Sequence, residues 1–375
     1  MNRLWQQLAI ATNWPVLVAV MVLSSVGIVS IWAISPDLGM RQVAYLVVAI
    51  ACLAAIQAVN YQLIGRYAWS FYFVSLLLVI YTVIGTKVSL PFVERQKGAC
   101  AWINFKVVSL EPSELMKISF IMVLGQYLRF RTNYRTLKGL IAPFALALVP
   151  VVLILKQPDL GVAALFFPTL LAMLFVAGAR GRHILLIVVA GLALLPLFWM
   201  HMVPYQKERV TAMFSNDPRT LREGGYQQLR TLTAMGRGGV DGQGIGNLAV
   251  GRSVPEAYND MIFAIVGEQF GFIGSMVVLV AYIILFAAGI EISAETREPF
   301  GKLMALGIVA LLAAQAFLNL MVVMRLFPVT GVTLPFVSYG GSSLLASYVA
   351  AGLLLNIGQN RPVVIAKDSF EFDRA

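Results

Sequence analysis

The chain has 375 residues, of which 59% are hydrophobic and only 12% charged, and its mean hydropathy is +0.81. This composition excludes an ordinary soluble domain, in which about a quarter of residues are charged, and favours one polytopic membrane domain over the several soluble domains that length alone suggests. The formal net charge of +10 is scattered between apolar runs and accompanies no nucleic-acid motif, so nucleic acid is not an expected partner.

Apolar stretches near 20 residues, long enough to cross a bilayer as helix, recur at 14–34, 41–59, 67–86, 113–129, 139–156, 160–178, 183–203, 261–289, 301–323 and 337–357. Runs this long exclude barrel strands. The expected fold class is an all-α polytopic membrane protein of about ten transmembrane helices, a single domain over 1–375. A large extracytoplasmic loop, 203–260, would join helices 7 and 8, and 362–375 would be a short disordered cytoplasmic tail. The first run has no small-residue cleavage site and reads as a retained span. The fourth is short and opens on charges, which predicts tilt or partial insertion. The eighth is long, and Gly267, Gly271 and Gly274 permit a bend.

Ten spans put both termini on one side. With the N-terminus inside, inner segments hold thirteen Lys/Arg and the short outer segments seven, which predicts cytoplasmic N and C termini. Cys52 lies in a span and Cys100 in an outer segment, so they do not read as a disulfide pair. Within the large loop, Val210, Met213 and Phe214 form a short apolar stripe, and Asn216-Asp217-Pro218 reads as a turn. Tyr226, Leu229 and Leu232 recur at the spacing of a helix lying on the membrane surface. Gly236 to Gly246 is the most glycine-dense stretch of the chain.

Polar groups that are hard to explain gather at the outer ends of the spans. Asp260 stands where bilayer meets water, a costly place for a carboxylate. Either Asn259 or Asp260 caps the eighth helix, or Asp260 is a chemical base, and the two roles are compatible. Glu268 lies about 12 Å deeper and must be neutral or paired, most simply by a hydrogen bond to a neighbouring helix. Glu114 and Lys117 share one helical face; they neutralise each other, or Lys117 holds a phosphate that Glu114 orients. Asp159 follows Pro158 at the start of a span, as a helix cap does. Arg209, Arg222, Arg230, Arg237 and Arg252 are solvated loop charges or a set suited to pyrophosphate. In Gly331–Ser343, Pro335 and Gly340-Gly341 break helix while Ser338, Tyr339, Ser342 and Ser343 offer hydroxyls, for close packing or for a ligand. No zinc motif, Walker loop, dinucleotide fingerprint or serine nucleophile elbow is present.

Five stretches in order resemble the SEDS family (shape, elongation, division and sporulation) of RodA/FtsW-type peptidoglycan polymerases. They are EPSELMK at 111–117, QPDLG at 157–161, YQQLRTLTAMGRGGVDGQGIG at 226–246, PEAYNDMIFAIVGE at 255–268 and PVTGVTLPFVSYGGSS at 328–343. The resemblance implies an inverting glycosyltransferase that polymerises lipid II into β-1,4 glycan strands at the outer face of the cytoplasmic membrane. It also implies a class B penicillin-binding protein as partner, within the elongation or division machinery. Asp260 matches the family's essential aspartate, Glu114 and Lys117 its polar pair, and Asp159 its QPDLG aspartate. The candidate site is Asp260 as catalytic base, with Glu114, Lys117, Asp159, Arg209, Arg237, Arg252, Glu268, Ser338 and Ser342 binding substrate. Positive charge for the leaving pyrophosphate comes from Lys117, loop arginines or a divalent cation; no metal site is expected among the residues. An α-linked donor giving a β product needs one displacement and one base, not the two-carboxylate pattern of hydrolases. This chain departs from the family pattern at Tyr258-Asn259 (commonly His-Thr), Met261 (Phe), Glu111 (Gln), Ala101 (Arg), Arg230 (Gln) and Gln269 (Glu). The rival expectation is a flippase or transporter of a lipid-linked precursor, but such sites lie near the bilayer midplane, often between inverted repeats. A non-catalytic scaffold, a third option, has no need of a lone carboxylate at a cavity mouth.

Overall fold

The computed structural model describes residues 13–86, 88, 90–93, 101–104, 109–131, 133–202, 204–214, 225–254 and 256–360. The expected tail 362–375, the turn at Asn216-Asp217-Pro218, Arg222 and Cys100 lie outside these residues. Among the described residues the regular secondary structure is helical apart from one small hairpin, β1 (Ile103–Asn104) paired antiparallel with β2 (Ser109–Leu110).

The first half comprises α1 (Trp14–Ile34), α2 (Pro36–Gln57), the short α3 (Tyr61–Arg66), α4 (Ala68–Gly85), α5 (Pro112–Arg129), α6 (Ile141–Leu155) and α7 (Leu160–Ala177). Then come α8 (Gly181–Ala193), α9 (Leu195–His201), α10 (Pro204–Phe214) and α11 (Tyr226–Gly238). The chain closes with α12 (Ile262–Glu295), α13 (Pro299–Val323) and α14 (Gly341–Gln359). Among the described residues eight segments are long and apolar enough to cross a membrane: α1, α2, α4, Lys138–Leu155 (a 3-10 turn running into α6), α7, α12, α13 and α14. The chain is thus a multi-pass, all-α membrane protein. The two other expected spans differ for separate reasons. Helix α5 carries Glu114, Lys117 and Arg129. Helix α8 has 13 residues and none buried, and Pro196 follows just beyond its end, at the start of α9.

Sequence and observed boundaries part where helix and hydrophobicity part. Helix α2 starts ahead of the apolar run at 41, because Pro36 suits a first helical turn and Arg41 and Gln42 are compatible with helix. The last helix starts at Gly341, not 337, because residues up to Gly340 (φ 152) are irregular. Helix α5, expected to be partly inserted, runs inside the bundle with Glu114, Lys117, Ile121, Leu124 and Leu128 all buried. Surrounded by α4, α13 and other helices rather than lipid, it does not need an apolar surface.

Helix α13 is the centre, packed against α5, α7, α12 and α14, while α1 lies on α12 and α2 on α14. Helix α12 is two helices joined at Gly271 (φ 64, ψ −156), the middle one of the three glycines that permit a bend. The amphipathic helix expected at 226–232 is present as α11, and its faces are informative. Gln228, Thr231, Ala234 and Gly238 face the protein, while Leu229 and Leu232 remain 42% and 36% exposed. Gln228 holds α11 there by donating to the carbonyl of Val322 (3.0 Å), in the last turn of α13, and to that of Phe327 (2.7 Å), just beyond it. A groove between α1 and the second half of α12 is lined only by apolar side chains, among them Val18, Val22, Phe272, Met276 and Val280.

Candidate active site

The starts of α5, α7, α12 and α14 and the end of α13 meet at one end of the bundle, the end from which α11 and its loop hang. Glu111 precedes α5, and its carboxylate accepts from Ser113 Oγ at 2.7 Å. One turn in, Lys117 Nζ donates to Glu114 Oε1 (2.8 Å) and to Gln315 Oε1 (3.1 Å), with both charged residues buried. Asp159 caps α7, accepting from the Val162 amide at 2.9 Å. Burial pushes the Glu111 carboxyl up to about 8, reinforced by the Glu114 and Asp159 charges and opposed by Ser113 and Lys117. Burial likewise raises Asp159 to about 6, against the Val162 hydrogen bond and the Lys117 charge. The structure therefore gathers Glu114, Lys117 and Asp159 into one electrostatic cluster and adds Glu111. A small crevice opens beside Glu114, Lys117, Gln315 and Ser347.

Asp260 lies in the turn before α12 and is 7% exposed. The capping expectation is corrected here. The cap position belongs to Met261, which makes no side-chain bond, and Asn259 Nδ2 instead donates to Glu256 Oε2 at 2.8 Å. The Asp260 carbonyl accepts from Asn319 Nδ2 at 2.7 Å, and the same amide nitrogen donates to Val332 O at 2.7 Å. One turn earlier on α13, Gln315 Nε2 donates to Thr333 O at 3.1 Å while its oxygen receives Lys117. Gln315 and Asn319 thus link Lys117 to Asp260, and sequence reasoning missed them. Their signal was available: two amides four apart, on one face of a span that is apolar from Leu303 onward apart from them.

The irregular stretch 324–340 is exposed at Met324, Leu326, Phe327 and Gly331, but from Val332 to Ser338 it is largely buried against protein, as broken backbone within a membrane fold requires. Its carbonyls find side-chain donors: Tyr282 Oη for Pro335, Gln42 Nε2 for Ser338, and the two α13 amides. Ser338 Oγ accepts from the Leu334 amide at 2.7 Å, closing the turn from within. Ser342 Oγ donates to Ser109 O (2.7 Å) and accepts from the Glu111 amide (3.0 Å), tying α14 to the hairpin and to the start of α5. Both hydroxyls hold backbone in place.

Glu268 is fully buried, and its expected helix partner is replaced by a loop. Oε1 accepts from the amides of Ala249 (3.1 Å) and Val250 (2.9 Å), and Oε2 from Gly251 (2.6 Å). The glycine-dense stretch docks beside it. At the Gly271 break, the amides of Gln243 and Gly244 donate to the carbonyls of Glu268 and Gln269, and the amides of Phe272 and Ile273 donate back to Gly239 and Val240. Four groups freed by the broken helix are satisfied this way. Among the loop arginines, Arg209 donates to Val329 O at 2.8 Å, Arg230 stacks over the Tyr226 ring, and Arg237 and Arg252 are exposed. Among the described residues no three His, Cys, Asp or Glu side chains are grouped to hold a metal ion.

The relatives of the chain agree with this architecture. It is 36% identical over 326 residues to a probable peptidoglycan glycosyltransferase FtsW of Geobacter metallireducens, covering 84% of each chain. It is 29% identical over 340 residues to the peptidoglycan glycosyltransferase MrdB of Escherichia coli, covering 89% of this chain and 90% of that one. Its fold superposes with a TM-score of 0.80, at 27% identity, on a chain solved in a study of how a peptidoglycan synthase complex coordinates polymerization and crosslinking; 94% of this chain and 99% of that one are covered. With the cell cycle protein model FtsW/RodA/SpoVE matching residues 4–362, this chain belongs to the FtsW/RodA/SpoVE family.

Proposed function

We propose that the chain is a peptidoglycan glycosyltransferase that polymerises lipid II at the outer face of the cytoplasmic membrane, with Asp260 as its general base. The names of the FtsW and MrdB relatives support the activity. The observation that carries the base is the frame around Asp260: a carboxylate residue at the loop end, joined through Asn319 and Gln315 to the buried cation Lys117. Asp260 takes the proton of the acceptor sugar hydroxyl as that oxygen attacks the anomeric carbon of the lipid-linked donor. The donor's bond to pyrophosphate breaks, and the β-1,4 bond forms with inversion. Lys117 and the loop arginines, Arg209, Arg237 and Arg252, face the negative charge that develops on the leaving group. Glu114 and Asp159 orient Lys117; Glu268, Ser338 and Ser342 hold the surrounding backbone. Lysine and arginine counts support cytoplasmic N and C termini. A relative of matching fold works in a complex that also crosslinks peptidoglycan. We therefore assign a class B penicillin-binding protein as the partner, in the elongation or division machinery.

The test gives purified protein, with and without that partner, labelled lipid II and assays glycan chains. Wild type should make polymer; Asp260→Asn and Asp260→Ala should slow it by about 100-fold or more while remaining folded. Chains at the normal rate from Asp260→Ala would remove the base. Translocation of lipid without polymer would favour a flippase.

A further inference from the structure

We infer that Asn319 is the positioning residue that sets Asp260 in register with Lys117, an inference that rests on the base assignment above. Both nitrogen-bound hydrogens of its side chain are committed, one to the Asp260 carbonyl and one to the Val332 carbonyl, each at 2.7 Å. Turned over, the amide would set its oxygen against two carbonyl oxygens, so its orientation is fixed. Gln315, about 6 Å along the same helix face, grips Thr333 and receives Lys117. Val332 and Thr333 are adjacent. The two amides are therefore joined twice, once through α13 and once through the irregular backbone, and the result is a closed frame with Asp260 at one corner and Lys117 at the other. Asn319 is 1% exposed and Gln315 3%, so water does not compete for these bonds.

The contact to the main chain matters more than one to the carboxylate would. It fixes the peptide unit that carries the base, and the position of the side chain follows from that peptide. General base catalysis and phosphate neutralisation act on two ends of one reacting bond system, and a misplacement of about 1 Å between them costs on the order of 100-fold in rate. If Asn319 only satisfied two stray carbonyls, its loss would lower stability and leave the rate per folded molecule unchanged.

The experiment measures polymerisation by Asn319→Leu, with its partner, normalised to monodisperse protein, beside wild type and Asp260→Asn. Expected is a fall in kcat of about 10- to 100-fold with KM for lipid II within about twofold. Should Asn319→Leu yield no folded protein, Asn319→Ser keeps one donor in less volume and is expected to show a smaller fall in kcat, again with KM held. A wild-type kcat from either variant, with Asp260→Asn inactive, overturns the inference and leaves the base standing. A raised KM at unchanged kcat overturns it as well, by placing Asn319 on the substrate. A full rate from Asp260→Asn removes the base itself, whatever Asn319→Leu does.

Discussion

At the scale of one residue, Glu111 stands where the family resemblance implies Gln. It sits beside Glu114 and Asp159, and burial lifts its carboxyl to about 8 from an ordinary 4.5. The folded chain keeps a proton that the unfolded chain has released, so between those two values folding takes up a proton and stability falls as pH rises. Glu111→Gln, which restores the amide usual in the family, should flatten that fall. Thermal unfolding of the two proteins from pH 5 to pH 9 should show curves that agree at the acid end and separate with increasing pH, the variant being the more stable at the alkaline end. A neutral Glu111 at pH 7 also leaves Lys117 to Glu114 and Gln315, the two side chains to which it donates. How the sequence disclosed these residues follows from chemistry. Charges in an apolar chain are conspicuous, which is why Glu114, Lys117, Asp159 and Asp260 stood out. The amides Gln315 and Asn319 carry no charge and vanish into a hydropathy scan, although they do the joining.

At the scale of elements, the dock between the glycine-dense stretch and the Gly271 break is the feature that glycine makes feasible. Gly242 has φ +83, and a β-carbon there would strike the Gln269 backbone; Gly246 has φ +81 with open space around it. Alanine at 246 should therefore cost only the left-handed strain, about 1 kcal/mol, whereas alanine at 242 should add a backbone collision and cost about 2–3 kcal/mol or undock the loop. Melting temperatures of the two variants in the same detergent, and their polymerisation rates, would check the order. The sequence showed that these glycines cluster and that α12 is free to bend. It did not show that the two facts are one, because a hydrogen-bond exchange between segments has no local period. The start of α14 was misplaced for a related reason: Val337 and its neighbours are apolar because they are buried as irregular chain, not because they are helical.

For the whole molecule in its membrane, the orientation of α11 decides how the loop meets lipid. Its polar and small residues face the bundle while Leu229 and Leu232 are presented outward. Replacing both leucines with serine should leave polymerisation in detergent nearly unchanged. In vesicles it should weaken, since burial of each leucine at the interface contributes about 1.5–3 kcal/mol. Equal activity of variant and wild type in vesicles would show that this face does not touch the bilayer. The bundle itself was the most legible part, since lipid demands long apolar helices and leaves few alternatives. Helix α5 was legible too, as the run 113–129, and it can carry its charges because protein surrounds it.

The stretch from 324 to 340 draws its donors from Gln42, Tyr282, Gln315 and Asn319, and the bond from Gln42 spans 296 positions of sequence. No local pattern can shape such a stretch in advance. During synthesis it must wait, unsatisfied, until α2, α12 and α13 have come together within the bilayer. Maturation of this end of the bundle is therefore a late event of biogenesis, completed only after the ribosome has delivered almost the entire polypeptide, and an early-stopped chain would be inserted without it.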